Sequence, residues 1–189
     1  MPVQPAAVEL LRAFAPVADR WGRWCLCGAQ AVVLHGVPRL SADVDVTLAL
    51  VPDTPDRFVG DMQAAGFSLR VSDPGFVRRT RVLPFVHEPT GMPLDVVLAG
   101  SGLEEEFLER AVPIDIGGTR IPVIEISDLV VAKVLAGRPK DIDDARALWR
   151  IHGRAMDPAR IRHLLHLLEE ALGQSDLLPV FEAITRPHE

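Results

Sequence analysis

Hydrophobic and polar positions follow one arrangement over the first 126 residues of the chain and another over the rest. Up to Ile126, short apolar runs with polar residues at alternate positions stand between stretches in which apolar residues recur every three or four positions. The first spacing is typical of strands and the second of helices. After Ile126 only the helical spacing remains. The sequence therefore predicts an α+β core over residues 1–126 and a C-terminal helical bundle over residues 127–189 that packs on the core.

The same spacing places the individual elements, with proline and glycine near their ends. Pro52 is predicted to end a strand, and Pro55, which follows Asp53 and Thr54, is predicted to begin a helix. Ser127 is predicted to cap the first helix of the bundle. Residues 72–80 are basic and fit neither spacing. Helices are predicted at residues 6–20, 29–35, 55–65, 103–110, 127–136, 140–152, 158–172 and 176–185, and strands at 24–27, 44–50, 67–71, 82–87, 93–98, 112–116 and 120–124.

One predicted strand carries a pair of acidic residues. Asp43 and Asp45 stand at the head of an apolar stretch, and Gly28 lies in the turn that precedes it. Because successive side chains of a strand point to opposite faces, both carboxylates share one face. Like charges on one face destabilise a strand unless something offsets the repulsion, and this favours a bound cation. The competing interpretation is the solvated edge of a half-buried strand.

A third carboxylate, Asp95, lies inside the later predicted strand LDVVLA. On adjacent strands of one sheet it would join Asp43 and Asp45. Mg²⁺ takes oxygen ligands and commonly combines a few carboxylates with the phosphates of a substrate. Two such ions about 3.5–4 Å apart can stabilise the attacking and the leaving oxygen of a phosphoryl displacement. The set suits nucleotidyl transfer with Mg²⁺ or Mn²⁺, and the alternative for Asp95 is an exposed strand residue.

Composition restricts the partners of the chain. The net charge of −6 over 189 residues argues against binding of nucleic acid over the whole surface, so a polyanion must meet a local basic patch. No apolar run reaches the roughly 18 residues of a membrane span, and a cytoplasmic protein without a membrane partner is expected. The basic residues available for such a local patch are Arg78, Arg79, Arg81, Arg138 and Lys140.

In their order along the chain, these motifs resemble a known family. The stretch GAQAVVLHGVPRLSADVDVTL, the later LDVV and the segment AKVLAGRPKDIDDARAL are similar to the DNA polymerase β-like nucleotidyltransferase superfamily. More narrowly, they resemble the AbiEii-type and MenT-type bacterial nucleotidyltransferase toxins, in which an Arg and a Ser or Thr precede Asp-x-Asp. The resemblance spans residues 24 to about 150 and implies a nucleotidyltransferase-type mixed β-sheet flanked by helices.

The resemblance also implies roles for individual residues. Asp43 and Asp45 would bind metal, and Asp95 would bind metal or act as a base. Gly28 would let the turn approach the triphosphate of an NTP, and Lys133 would neutralise phosphate charge. The remaining positions that match are Arg39, Ser41, Arg138 and Lys140 for the nucleotide and Asp144 as a trailing catalytic acid.

Several of these residues have a structural interpretation that the sequence leaves open. Lys133 could extend from an apolar helix to solvent. Arg39 and Ser41 could shape the loop before the strand. Asp141 could stabilise the start of a helix, and Asp144 could pair with Arg138 or Lys140. The sequence does not decide between these structural roles and a functional one for either acid.

The turn departs from the superfamily pattern at its second position. The superfamily usually has Gly-Ser or Gly-Gly there, whereas this chain has Ala29, which offers no hydroxyl to a phosphate. Backbone N–H groups at the start of a helix can still bind an anion. The departure leaves phosphate binding to the backbone and to Lys133.

The first functional hypothesis is a metal-dependent nucleotidyltransferase that moves a nucleotidyl group from an NTP to an acceptor hydroxyl. By resemblance it would be the toxin of a bacterial toxin-antitoxin pair acting on tRNA 3′ ends, with a cognate antitoxin as a partner. One alternative is transfer to a small molecule or a protein side chain, and the acidic helix LEEEFLER could attract a cationic substrate. Another is a non-catalytic module that binds a partner, which Ala29 favours and the three aspartates oppose.

Overall fold

The computed structural model describes residues 4–50, 55–100 and 102–186. The chain divides into two compact units, Met1–Ile124 and Glu125–Glu189. The first unit contains the helices α1 (Pro5–Trp21), α2 (Gly28–Leu34), α3 (Pro55–Ala64), α4 (Pro74–Thr80) and α5 (Gly102–Arg110). Its strands are β1 (Trp24–Leu26), β2 (Val44–Leu48), β3 (Phe67–Leu69), β4 (Val82–His87), β5 (Met92–Leu98), β6 (Val112–Ile116) and β7 (Thr119–Val123).

The strands of the first unit form one mixed sheet. Within the described ranges the sheet has seven strands in the order β3-β4-β5-β2-β1-β7-β6. β2 pairs with β5 and β1 pairs with β7 in parallel, and the other neighbours are antiparallel. The predicted fold class, a mixed β-sheet with helices followed by a helical C-terminal part, is confirmed.

One face of the sheet carries the core of the first unit. Val46 of β2 is fully buried there, and Phe14 of α1 packs edge-on against Trp24 of β1 with ring centroids 5.0 Å apart. Burial of one such large apolar side chain contributes about 1.5–3 kcal/mol. Because side chains alternate along a strand, Asp45 of β2 and Asp95 of β5 point to the opposite face. Other fully buried side chains of the core are Leu10, Phe58, Phe85 and Leu94.

The second unit consists of the helices α6 (Ile126–Ala136), α7 (Pro139–His152), α8 (Pro158–Leu172) and α9 (Leu177–Thr185). Each buries an apolar face against the others, and Trp149 of α7 packs edge-on against Phe181 of α9 at 5.5 Å. Arg160 of α8 donates a 2.8 Å hydrogen bond to Asp128 of α6, whose side chain is fully buried. The buried acid is therefore neutralised within the unit.

Residues 72–80, which fit neither spacing, contain the short helix α4. The carboxylate of Asp73 accepts a 2.8 Å hydrogen bond from the N–H of Gly75, and Pro74 occupies the first turn. The helix ends where Arg81 adopts a left-handed conformation with φ of 56°. An acidic cap followed by proline is a start signal that the apolar spacing of so short a helix does not reveal.

The predicted cap of α6 is wrong. The Glu125 side chain caps the helix instead, because it accepts hydrogen bonds from the N–H groups of Ser127 at 2.9 Å and Asp128 at 3.4 Å. Ser127 lies inside the first turn, where its hydroxyl accepts a 3.2 Å bond from the N–H of Asp157. A carboxylate two residues earlier satisfies two orphan donors of the helix, which a serine hydroxyl does not.

The predicted strand end at Pro52 and the predicted helix start at Asp53 and Thr54 lie outside the described residues. Among the helices within the described ranges, none combines the length and the apolar composition needed to cross a membrane.

Candidate active site

A row of residues crosses the sheet on the face opposite the core. Asp45 of β2 and Asp95 of β5 are direct partners in the parallel pairing, and Pro84 of β4 is the partner of Asp95 on its other side. The N–H of Cys27 donates to the Asp45 carbonyl, and the N–H of Arg70 donates to the Pro84 carbonyl, both at 2.8 Å. Neighbouring strands lie about 4.8 Å apart. The row therefore places two carboxylates side by side and a guanidinium two strands away.

Gly28 lies directly against the carboxylate of Asp45. It is the first residue of α2 and has φ of 61°, a left-handed conformation that glycine adopts without strain. A Cβ atom placed on Gly28 would stand 1.9 Å from Oδ2 of Asp45. Any side chain at this position would therefore displace the carboxylate, so the turn needs glycine for space as well as for conformation.

Asp43 immediately precedes β2 and is held by its own loop. The Ser41 hydroxyl lies 2.8 Å from Oδ1 of Asp43 and donates to it, and it is also 3.1 Å from the Asp43 carbonyl oxygen. Arg39 lies half-buried in the same loop. Ser41 therefore orients the Asp43 carboxylate in addition to shaping the loop before β2.

Arg70 is a site residue that the sequence did not single out. It follows β3, and its Nε donates a 2.9 Å hydrogen bond to the Phe85 carbonyl of β4. Its Nη2 donates to Oδ1 of Asp95. Because the contact crosses a strand and joins residues 25 positions apart, no local pattern reveals it. Arg70 therefore fixes one oxygen of Asp95 and neutralises part of the charge of the row.

The aspartates offer the hard oxygen donors that Mg²⁺ and Mn²⁺ prefer. Oδ1 of Asp43 is bound by Ser41 and Oδ1 of Asp95 by Arg70, while Oδ2 of each accepts no hydrogen bond within the described ranges. In the same ranges, no group of three or more His, Cys, Asp or Glu is arranged to hold a metal ion by itself. Mg²⁺ commonly uses one or two carboxylates together with substrate phosphates. The aspartates fit such a shared site, in which the nucleotide completes the ligand set.

Lys133, to which the resemblance assigns phosphate binding, lies in a buried ion-pair cluster of the second unit. Its Nζ donates to Oδ1 of Asp141 at 2.9 Å and to Oδ2 of Asp144 at 2.8 Å. The side chains of the three residues are 7%, 1% and 8% exposed. Arg138 donates from Nε to the second oxygen of Asp141. Asp141 and Asp144 thus share one lysine, and Lys140 is exposed to solvent.

The cations of the cluster decide the ionisation of Asp141. Burial alone would raise the pKa of this carboxyl, but hydrogen bonds from Arg138 and Lys133 and their charges outweigh burial and lower the pKa. Asp141 is therefore an anion at neutral pH, and it neutralises Lys133 together with Asp144.

Two of the arginines considered for a phosphate patch are bound within the first unit. Arg79 donates a 2.8 Å hydrogen bond to Asp73, and Arg81 donates to the carbonyl oxygens of Leu98 at 3.0 Å and Ala99 at 2.5 Å. Arg78 is exposed on α4. Arg81 therefore serves mainly to join α4 to the end of β5.

The fold is shared with solved nucleotidyltransferases. The solution structure of the antibiotic-resistance factor ANT(2″)-Ia is similar with a TM-score of 0.63 at 12% identity, covering 90% of this chain and 95% of that chain. A nucleotidyltransferase-like antigenic protein from Paracoccidioides brasiliensis has a TM-score of 0.53 at 14% identity, covering 97% and 95%. The lincosamide antibiotic adenylyltransferase LnuA, solved with lincomycin, has a TM-score of 0.52 at 15% identity, covering 78% and 96%. No curated protein sequence matches the chain.

The sheet and the similarities together define the chain as a protein of the nucleotidyltransferase fold. Its sequence matches the DUF6036 family, described as nucleotidyltransferases of unknown function, over residues 6–152. The chain belongs to this family and is a nucleotidyltransferase. The matched residues include the aspartate row, Gly28 and the Lys133 cluster.

Proposed function

We propose that the protein transfers a nucleotidyl group from an NTP to an acceptor hydroxyl in a reaction that needs Mg²⁺ or Mn²⁺. Asp43 and Asp45 would hold the metal, and Asp95 would bind it with them or act as the base. The observation that carries this proposal is the register of Asp45 and Asp95, which lie side by side on the face opposite the core, with Gly28 against the first of them. Adjacent like charges favour a cation.

The residues of the candidate site have different roles in the proposed reaction. Gly28 lets the Asp45 carboxylate lie directly against the turn at which the triphosphate would bind, and Ser41 fixes the Asp43 carboxylate. As the base, Asp95 takes the proton of the acceptor hydroxyl while the hydroxyl oxygen bonds to the α-phosphorus of the NTP. The bond from that phosphorus to the β-phosphate oxygen breaks, and pyrophosphate leaves. The bound divalent ion supplies charge neutralisation on the phosphate oxygens.

By resemblance, the acceptor is a tRNA 3′ end and the protein is the toxin of a bacterial toxin-antitoxin pair. The support is the motif itself, in which Arg39 and Ser41 precede Asp43-Val44-Asp45 as they do in AbiEii-type and MenT-type toxins. A cognate antitoxin would then be its protein partner.

A second candidate is transfer to a small molecule, because ANT(2″)-Ia and LnuA have the same fold and are antibiotic-modifying proteins. The acidic helix α5 was the feature that could attract a cationic substrate. Arg23, however, donates to Glu105 at 2.7 Å and to Glu109 at 3.2 Å, and Glu104 accepts from the N–H of Gly100 at 2.6 Å. The Arg23 guanidinium offsets part of the negative charge of α5, which weakens the argument for a cationic substrate.

The test is incubation of the protein with Mg²⁺ or Mn²⁺, each labelled NTP in turn, and total tRNA, total protein or an aminoglycoside. Label in tRNA is the expected result. Label in protein or in the aminoglycoside would identify that molecule as the acceptor instead of tRNA. No label from any NTP would indicate a non-catalytic module that binds a partner.

The matched variants are Asp45→Ala and Asp56→Ala. Asp56 is exposed in the first turn of α3, so its loss should leave transfer unchanged, whereas loss of Asp45 should abolish transfer without unfolding the protein. Transfer that survives Asp45→Ala would refute the assignment of the site.

A further inference from the structure

The second unit contains a cavity of about 850 Å³ at the ends of two helices. The last turn of α7, the residues that follow it and the end of α9 form its walls. The side chains that give it its character are Arg146, Trp149, Arg150, Arg154 and Arg186. The volume lies in the upper part of the range of about 300–1,000 Å³ that is typical of ligand sites.

The four arginines of this arginine cavity are exposed. Two of them have an acidic neighbour, since Arg146 pairs with Asp143 and the charge of Arg186 acts on Glu182. Arg146 forms a 3.3 Å ion pair with Asp143, which is itself 74% exposed. In the described part of the chain, Arg150, Arg154 and Arg186 take part in no salt bridge. Arg146 and Arg150 stand one turn apart on α7, where like charges destabilise a helix. An anion in the cavity would remove that repulsion.

Helix ends alone do not account for the charge. The C-termini of α7 and α9 each carry roughly half a negative charge, about one in total, and this favours cations near them. Arg150 and Arg154, which have no acidic neighbour in the described ranges, exceed that by about one positive charge. The chain as a whole has a net charge of −6, so the arginine cavity is a local concentration of positive charge on an acidic protein.

We propose that the arginine cavity binds the phosphate backbone of an RNA strand. Guanidinium groups match phosphate oxygens in a bidentate fork, and an aromatic ring beside them suits the bases of an unpaired strand. Trp149 lines the cavity and supplies that ring. An acidic peptide would be attracted by the same charges but would not use the indole. The identity of the strand as the acceptor rests on the function proposed above, whereas the binding does not.

The experiment measures binding without NTP, so that it does not depend on transfer. A short single-stranded RNA ending in CCA, labelled with fluorescein at its 5′ end, is titrated with the full-length protein at several salt concentrations. With four phosphate contacts the slope of log affinity against log salt is about −2.8, and Arg150→Gln with Arg154→Gln brings it to about −1.4. The double variant should bind roughly 10- to 30-fold more weakly at about 0.1 M salt.

The matched control is Arg20→Gln with Arg120→Gln, which changes the net charge equally at two exposed arginines of the first unit. It should keep the slope and the affinity of the unchanged protein. Thermal melts of both double variants report whether they remain folded.

Equal weakening in both double variants, an unchanged slope or no binding of the RNA would overturn the proposal. Poly-glutamate that binds more tightly than the RNA, with the same arginine dependence, would also overturn it and would indicate an acidic protein partner. The transfer assay with labelled NTP runs in parallel. If the salt slope depends on Arg150 and Arg154 but no label enters RNA, the binding site stands and RNA as the acceptor is refuted. If label enters RNA but the slope does not depend on these arginines, only the binding site is refuted.

Discussion

Arg70 donates a hydrogen bond to Asp95 across β4, and the carbonyl of Phe85 on that strand anchors the same guanidinium. Pro84 of β4 lies between Arg70 and Asp95 in the sheet. Its carbonyl accepts the N–H of Arg70, but as a proline it has no N–H to donate toward β3 in return. Arg70 follows Leu69, the last residue of β3, and its side chain reaches over β4. A basic side chain that follows the edge strand β3 thus orients an acid on β5, two strands away.

Replacement of Arg70 should weaken catalysis more than folding. Arg70→Ala leaves Asp95 without its orienting donor, and loss of such a supporting contact typically costs about 10- to 100-fold in activity or metal affinity. Arg70→Lys keeps the positive charge and loses the forked guanidinium, so its activity should lie between those of the unchanged protein and Arg70→Ala. The measurement is the rate of pyrophosphate release at a series of Mg²⁺ concentrations. Arg79→Ala, which removes an exposed ion pair with Asp73, is the control, and equal rates in both variants would contradict the role of Arg70.

Gly28→Ala should nearly abolish transfer. The new methyl group would stand 1.9 Å from Oδ2 of Asp45 and would push the carboxylate away, and a displacement of about 1 Å can cost about 100-fold in rate. Gly91→Ala is the matched control, because Gly91 has φ of 66° and a Cβ there would meet nothing within 4 Å. Both variants pay about 1–2 kcal/mol for the left-handed conformation, measured by urea unfolding. If Gly28→Ala kept as much transfer activity as Gly91→Ala, the contact with Asp45 would not be the reason that this turn needs glycine.

Lys133→Met should destabilise the protein strongly. The lysine neutralises Asp141 and Asp144 in a cluster that is almost completely buried, and removal of one partner from such a pair costs about 3–5 kcal/mol. Lys140→Met, at an exposed position, should change the free energy of unfolding by less than about 0.5 kcal/mol. Urea unfolding at neutral pH compares the two. A small effect at Lys133 would mean that the carboxylates find other partners, such as Arg138.

Acid should weaken the protein through Asp141. Its pKa in the folded state is lowered, since Arg138 and Lys133 outweigh the effect of burial, so the stability it contributes is complete above its unfolded pKa of about 3.9. That stability is lost as the pH falls below about 4 and through the lowered pKa of the folded state. The free energy of unfolding, measured in urea from neutral pH to pH 3, should fall more steeply for the unchanged protein than for Asp141→Asn. Parallel curves would contradict this assignment.

Local patterns in the sequence were enough to predict most of the elements and the faces of the central strands. Val44, Val46 and Leu48 alternate with Asp45 and Thr47, and this alternation places Asp45 on the face opposite the core without knowledge of the neighbouring strands. The helices of the second unit followed from their apolar spacing in the same way. α4 was missed, because seven residues are too few to establish a helical period.

The contacts that support the site were not predictable from the sequence. Arg70 meets Asp95 only because β3 and β5 lie on either side of β4, which depends on the strand order. Asp141 and Asp144 were open to a structural and a functional interpretation alike, and in the structure both contact Lys133, from the preceding helix. The cap of α6 was also wrongly predicted at Ser127, because the longer side chain of Glu125 accepts hydrogen bonds from the first N–H groups of the helix.

The parallel pairing of β2 with β5 also determines when the protein can become active. Between these strands the chain forms α3, β3, α4 and β4, and β5 joins β2 only after that segment has crossed and returned. Contacts between residues so far apart form slowly, because the intervening chain must close first. A chain emerging from the ribosome therefore has Asp45 early and Asp95 late, and the two carboxylates meet only when the centre of the sheet is complete. Truncated or partly folded chains that lack β5 carry the first half of the motif and should have no transfer activity.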